Sequence, residues 1–414
     1  MPLEQARALV REAVKPLGTE RVALANADGR VTAAPVISPM DLPPFDNAAM
    51  DGFALAHAGE LDGGFVLDVT GEQAAGDLAS TAGLGAWEIM TGARVPDGFD
   101  TVVPVEDVAV LARHPAGQPS RIALGSAPRR GQHVRLRGQD IAAGDCAVPA
   151  GIWVDPSVAM LLGGIGVSEL EVRRRPRVAL LCTGRELIDT PGAGLASGQI
   201  YNTNGPFLAR RLALAGAEVI INHTIHDDPA VFRDAVLAAQ SAGADVVVST
   251  GAVSMGRYDF VPEVLSGLGA SLLFHKVRMR PGKPLLAATL PSGVLCVGLP
   301  GNPVSSAVGQ RFFVEGALRR MLGMPDERPW RLPLAADVSK KPGFAMLQKA
   351  SLELDGDGRV RVRLLQGQES FRTRPLLDSR AWAILPEDAE LVAAGCLVDV
   401  LPLGHIHSNL FCEA

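Results

Sequence analysis

Cysteine is scarce in this chain. The five present, Cys146, Cys182, Cys296, Cys396 and Cys412, are odd in number, widely spaced and form no CxxC pair. That excludes a disulfide framework and fits reduced, mostly buried thiols of a cytoplasmic protein. Long apolar runs are missing too, since none approaches the roughly 20 residues needed to span a bilayer. Residues 1–14 carry Glu4, Arg7, Arg11 and Glu12 among apolar positions, the pattern of an amphipathic helix and not of a signal peptide. There is no basic excess: a net charge of −6 and a pI near 5.8 exclude a general nucleic-acid or membrane-surface binder. Only local clusters, Arg129, Arg130, Arg135 and Arg137 or Arg173 to Arg177, offer a small anion positive charge. Repeats and low-complexity tracts are absent.

What is present reads as a folded, multidomain protein. An apolar share of 47% with 45 Gly and 30 Pro implies packed cores joined by many turns, and 414 residues suggest two to four domains. Residues 1–40 with 144–175 are expected to form one discontinuous N-terminal domain, the helix at Pro156 to Leu162 packing back on the N-terminal helix. Residues 41–143, broken by Gly and Pro around short β-branched runs, read as a β-rich domain. From 176 to 325, buried strands alternate with amphipathic helices: Val178–Cys182, Gly205–Ala215, Val219–Ile221, Pro229–Ala242, Asp245–Ser249. That alternation predicts a doubly wound α/β domain, a parallel sheet with helices on both faces. Residues 326–414 return to short strands and turns, predicting a small β-barrel-like domain.

Two kinds of segment carry the chemistry. The first is the turn Pro43-Pro44-Phe45-Asp46-Asn47-Ala48-Ala49-Met50-Asp51-Gly52-Phe53, entered by prolines and left by a glycine that permits positive φ. Asp46, Asn47 and Asp51 either brace this turn or face a ligand. The second is the set of loops after apolar strands, where open α/β sheets bind ligands. These are Thr183-Gly184-Arg185-Glu186, Gly251 to Gly256, Arg280-Pro281-Gly282-Lys283-Pro284 and Pro300-Gly301-Asn302-Pro303-Val304-Ser305. Asn302 is expected to cap the helix that Pro303 opens, leaving free N–H groups for an anion. Gly251, Ser254 and Gly256 make a second phosphate-sized cradle, and Lys283 supplies a point charge. Glu186, Asp227 and Asp259 beside such a cradle, with Asp51 and Asp140 from the β-rich domain, imply a divalent cation such as Mg²⁺ between acids and phosphate.

Taken together these segments resemble the molybdopterin molybdenumtransferase family, which includes the E domain of gephyrin. Thr183-Gly184-x-Glu186-Leu187, Gly198 to Asn204, Asp227-Asp228-Pro229, Ser254-x-Gly256, Tyr258-Asp259, Pro281 to Pro284 and Pro300 to Ser305 follow the family's order. So do Ile89 to Ala93, Arg137-Gly138-x-Asp140-Ile141 and the Asp51 turn. The middle domain alone resembles cofactor-adenylylating enzymes and competence-damage proteins as well, but the Asp51 turn excludes those. The resemblance implies an enzyme that takes adenylylated molybdopterin, breaks its phosphoanhydride and places molybdate on the dithiolene, releasing AMP and molybdenum cofactor. It implies Asp51, Glu186 and Asp259 as catalytic residues and Glu186, Asp227 and Asp259 as Mg²⁺ ligands. Thr183, Gly184, Gly251, Ser254, Gly256, Lys283, Gly301, Asn302, Pro303, Ser305 and Asp140 would hold the ligand. It also implies a homodimer that brings one β-rich domain over the partner's α/β domain, and apo-molybdoenzymes as recipients of the product.

Departures gather in the last domain. Where the family has an Arg-x-acid-aromatic-x-Arg strand the chain reads Phe344-Ala345-Met346-Leu347-Gln348-Lys349. A Ser-rich turn is replaced by Ser370-Phe371-Arg372-Thr373-Arg374-Pro375, and Ala252 stands for a usual Gly. Weaker molybdate binding is therefore expected. The alternative is a diverged module that holds or delivers molybdopterin without inserting metal.

Overall fold

The computed structural model describes residues 1–57, 65–253 and 260–407. Ser254, Gly256, Asp259 and Cys412 thus lie outside the described residues.

The middle of the chain is built on a six-stranded sheet. Its spatial order is Glu218–Ile225, Arg177–Thr183, Val246–Thr250, Leu295–Leu299, Leu286–Thr289 and Ser271–His275. The first four strands are parallel. Val178, Leu180 and Cys182 enter one core with Leu208 and Leu212 of helix Asn204–Leu214. Ala179 and Leu181 enter the opposite core with Phe232 and Val236 of helix Pro229–Ser241. A strand covered on both faces has no solvent side, so its run is apolar throughout, as expected of a doubly wound sheet. Helix Pro229–Ser241 starts where Asp228 accepts the Ala230 and Val231 N–H groups and Pro229 takes the first turn.

One edge corrects the all-parallel expectation. Leu286–Thr289 runs antiparallel to both Leu295–Leu299 and Ser271–His275. Residues 290–294 are all that joins the first pair, far too few for the crossover a parallel pair needs.

The N-terminal helix, Leu3–Glu12, buries Leu3, Ala6 and Val10 in the α/β core, so the 156–162 segment does not claim that face as expected. Strand pairing rejoins the flanks of the Gly- and Pro-rich stretch instead: Thr19–Ala23 lies antiparallel to Glu169–Arg173, and Val36–Ile37 to Cys146–Val148. Between them a second six-stranded sheet runs Thr101–Pro104, Gly52–Leu55, Ala86–Ile89, Val66–Gln73, Pro119–Leu124, Val108–Arg113.

The last sheet curls into a barrel-like form. Ala345–Leu354 pairs with Val360–Leu364 and Ala381–Leu385, the ladder passes through Leu397–Pro402 to Trp330–Pro333, and Leu334 then bridges Val362. Trp330, Leu334, Ala350, Val362, Leu385 and Val400 fill it. Met279–Arg280 pairs with Ala345–Met346 and ties this barrel to the α/β sheet.

Cys182 and Cys296 are buried, whereas Cys146 and Cys396 are exposed, so the expected burial holds for half of the described thiols, and all four are free. Burial pushes the Cys296 thiol up to about 12. No helix among the described residues is long and apolar enough to cross a membrane.

Candidate functional site

The helix that follows Arg177–Thr183 packs on one face of the sheet, and the helix that follows Val246–Thr250, Val261–Gly267, packs on the other. Between adjacent strands whose connections diverge in this way, a crevice opens beyond the carboxyl ends. Its floor is locked by the Thr183 hydroxyl donating to the Thr250 carbonyl at 3.1 Å and the Gly251 N–H donating to Leu299 at 3.0 Å. Gly251 has φ +90°, and a Cβ there would fall 2.6 Å from Thr183 Oγ1. Only glycine fits both requirements.

Two adjoining clefts share Thr183, Glu186 and Gly301. One, of about 550 Å³, adds Leu187, Ile200, Tyr201, Asn202, Asn204, Asn302, Pro303 and Phe371. The other, of about 310 Å³, adds Arg185, Asp227, Gly251 and Ala252. Thr183, Glu186, Asp227, Gly251, Gly301, Asn302 and Pro303 are therefore brought together as the loops implied. Gly184 belongs with them, because a Cβ there would sit 2.9 Å from both Glu186 carboxylate oxygens. Asp227 Oδ2 accepts the Arg185 N–H at 3.3 Å. Ala252 takes the left-handed region at φ +53°, which accounts for glycine being usual there.

Other expected residues stand apart. Ser305 is 4% exposed and lines neither cleft. Asn302 makes no side-chain cap; the Val304 N–H is instead taken by the Ser370 carbonyl, 3.0 Å away in the last domain. That bond removes one of the free helix N–H groups expected to face an anion. The Arg280 to Pro284 loop follows Met279–Arg280, whose parallel partner is Ala345–Met346 of the last sheet and not a strand of the α/β sheet, yet Leu286 pairs with Gly298, so strand reversal returns the loop to the same sheet edge. Lys283 there lies 5.5 Å from the Phe344 ring centre and Arg280 4.4 Å, two cations against one aromatic ring.

The Asp51 turn lies outside both clefts. Within it Asp46 accepts the Arg137 N–H at 2.7 Å and Asn47 donates to Phe45 at 3.3 Å, so these two brace the turn. Gly52 is not at positive φ; it is required because a Cβ would lie 2.0 Å from the Val103 carbonyl oxygen. Asp51 itself is exposed. Its Oδ1 accepts both the Thr91 N–H at 2.6 Å and the Thr91 hydroxyl at 2.9 Å. Those donors hold its carboxyl below the usual range. Asp140 is exposed, its N–H bound to Leu42 O at 3.0 Å.

Sequence reasoning about sites missed Thr91, Asn202, Asn204, Tyr201 and Phe371. Asn202 is saturated by Asp189, Thr224 and the Gly205 N–H, and Asn204 donates to Gly301 at 2.7 Å; both set the crevice wall. The Gly198 to Asn204 segment and Thr91 lay within quoted motifs, so a signal existed for them. Phe371 lay within the Ser370 to Pro375 departure, which marked the segment but not the ring's place at a cleft.

The sheet, its glycine-floored crevice and the flanking β domains define a multidomain α/β ligand-binding protein. Residues 1–166 match the MoeA N-terminal region (domain I and II), 179–320 the family described as "Probable molybdopterin binding domain", and 331–403 the MoeA C-terminal region (domain IV). A molybdopterin molybdenumtransferase of Synechococcus elongatus is 37% identical across 95% of this chain and 97% of its own. One from Haemophilus influenzae is 32% identical across 98% and 99%. The molybdopterin biosynthesis moeA protein of Pyrococcus horikoshii has a TM-score of 0.79 at 26% identity, covering 97% of this chain and 99% of that one. The chain belongs to the molybdopterin molybdenumtransferase family.

Proposed function

We propose that this chain is a transferase of molybdenum cofactor biosynthesis that accepts adenylylated molybdopterin and molybdate and releases AMP and molybdenum cofactor. The observation that carries this reading is the crevice of Thr183, Gly251 and Gly301 with Glu186 and Asp227 beside it. Backbone approaches this close leave room for phosphate oxygens against main-chain groups. Two carboxylates at that spot repel a bare phosphate and suit one only across a cation.

Mg²⁺ fits this donor set. Among the described residues no group of three or more His, Cys, Asp or Glu gathers to cage a metal. Mg²⁺ needs no such cage, because it is held by one or two carboxylates, water and substrate phosphates. Glu186 and Asp227 would hold it, and it would offset charge on the departing AMP. In this reading Thr183, Gly184, Gly301, Asn302 and Pro303 position the nucleotide end.

Asp51 is held as a carboxylate by Thr91, which makes it a weak proton acceptor and a good orienting group. Both Thr91 bonds go to Oδ1, so Oδ2 is the oxygen available to a nucleophile. Because Asp51 lines neither cleft of its own chain, it acts in the crevice of a second copy in a homodimer. The strand pairs Thr19–Ala23 with Glu169–Arg173 and Val36–Ile37 with Cys146–Val148, which rejoin the chain on either side of the β-rich part, support such an arrangement. Arg280 and Lys283 supply positive charge to the oxyanion where Phe344 offers no donor.

The test is incubation of purified protein with adenylylated molybdopterin, Mg²⁺ and molybdate while AMP and active cofactor are followed. Stoichiometric release of both is expected, and chelation should abolish it. Tight molybdopterin binding without AMP release at saturating molybdate would favour the delivery module instead.

A further inference from the structure

Among the described residues only three aromatic side chains rank as exposed: Phe65, Tyr201 at 38% and Phe371 at 65%. Two of those three line the same cleft of about 550 Å³. Phe371 comes from the last domain, on a segment fastened at several points. The Ser370 carbonyl accepts the Val304 N–H at 3.0 Å, at the start of the helix whose loop forms the crevice. One residue beyond Phe371, the Arg372 carbonyl accepts the ammonium of Lys349 at 3.2 Å. Lys349 is completely buried, and that burial draws its pKa down. Gln368 locks the base of the segment by exchanging bonds with the Lys349 main chain at 2.9 and 2.8 Å.

Burying an ammonium against one carbonyl is an unfavourable way to hold a surface loop. Its consequence is that a phenyl ring stands at a cleft without a core to pack in. Arg372 lies 5.8 Å from that ring and is paired with Glu369 at 3.1 Å. Ligand clefts of this size are lined by rigid aromatic groups because flat rings give large contact at small conformational cost. The Thr183 to Gly301 floor is polar and suits phosphate, whereas Tyr201, Ile200, Leu187 and Phe371 make an apolar wall.

We infer that Phe371 is a substrate-positioning residue that stacks on a flat heteroaromatic ring of the ligand, placed across the cleft by the segment from Gln368 to Arg372. The inference rests on the substrate proposed above, which carries two such rings, the pyrimidinone end of a reduced pterin and an adenine. Their stacking chemistry is shared, and the experiment separates them.

Phe371→Ala and Phe371→Trp are compared with the parent chain by anaerobic calorimetry, using AMP and molybdopterin as separate probes, with melting temperatures alongside. The alanine variant should fold normally and lose about tenfold in affinity for one probe, the scale of one aromatic stacking contact. Tryptophan should restore it. The probe affected identifies the ring. In turnover the loss should fall on KM more than on kcat. If the parent binds a probe and Phe371→Ala binds both as well as the parent, the inference is overturned while the proposed function stands. A loss that tryptophan does not restore also overturns it. If the parent binds neither probe, the functional reading fails and takes the inference with it.

Discussion

At the scale of single residues, environment decides what a side chain can do. Asp51 looks like any turn aspartate until Thr91 is seen donating twice to one of its oxygens. Asp51→Asn preserves shape and removes charge. Turnover should fall about 10²-fold or more, with the melting temperature nearly unchanged; full activity would show that Asp51 only braces the turn. The pH dependence has a definite sign. The folded value is depressed, so the stabilisation from Thr91 is complete above the ordinary carboxylate range and is lost as pH falls through the lowered value. Thr91→Ala should therefore move the acid limb of the activity profile upward. Ala252 offers a second test. Its left-handed backbone costs about 1–2 kcal/mol, while glycine's extra unfolded-state freedom costs about 0.5–1 kcal/mol. Ala252→Gly should thus raise the melting temperature slightly, and a fall would mean that the alanine methyl packs usefully.

Loops and strands add constraints that no residue carries alone. Gly251 joins a left-handed φ to a backbone packed so closely on Thr183 that a Cβ would fall 2.6 Å from its Oγ1. Gly251→Ala must displace Thr183 and break its bond to Thr250. A destabilisation of about 2 kcal/mol is expected, with nucleotide affinity lowered by more, since the crevice floor moves. Denaturant melts and AMP titration would separate the two effects. On the neighbouring loop, Lys283 and Arg280 face Phe344. Lys283→Ala should weaken molybdate binding by roughly 1.5–3 kcal/mol, the scale of a hydrogen bond to a charged group. The difference should shrink as salt rises. Unchanged affinity at low salt would move the oxyanion elsewhere.

For the whole molecule the decisive fact is distance along the fold. Asp51 leads into a strand of one six-stranded sheet and Glu186 follows a strand of another, and neither cleft contains both. If two copies complete each site, inactive Asp51→Asn and Glu186→Gln chains should complement. Random mixing makes half the dimers mixed, each with one intact site, so about a quarter of parental activity should return. No recovery on mixing and refolding would place the whole site within one chain.

Much of this was legible beforehand because local rules suffice for it. Alternating apolar runs and helices specified the doubly wound sheet, and strand ends pointed to Thr183, Gly251 and Gly301, since position after a strand fixes position at the sheet edge. The quoted motifs led to the family. Only the tertiary structure decided contacts between distant segments. Asn302 does not cap its helix because Ser370, 68 positions on, supplies a carbonyl to Val304. Gly52 is required by a neighbouring strand's carbonyl and not by its own torsion. Leu3–Glu12 joins the α/β core, because an amphipathic face states that it will be buried but not against what. Phe371 faces the crevice through a buried lysine on another strand. Sequence order encodes periodicity and torsion, while long-range partners are chosen by packing, which the chain reveals only once it is folded.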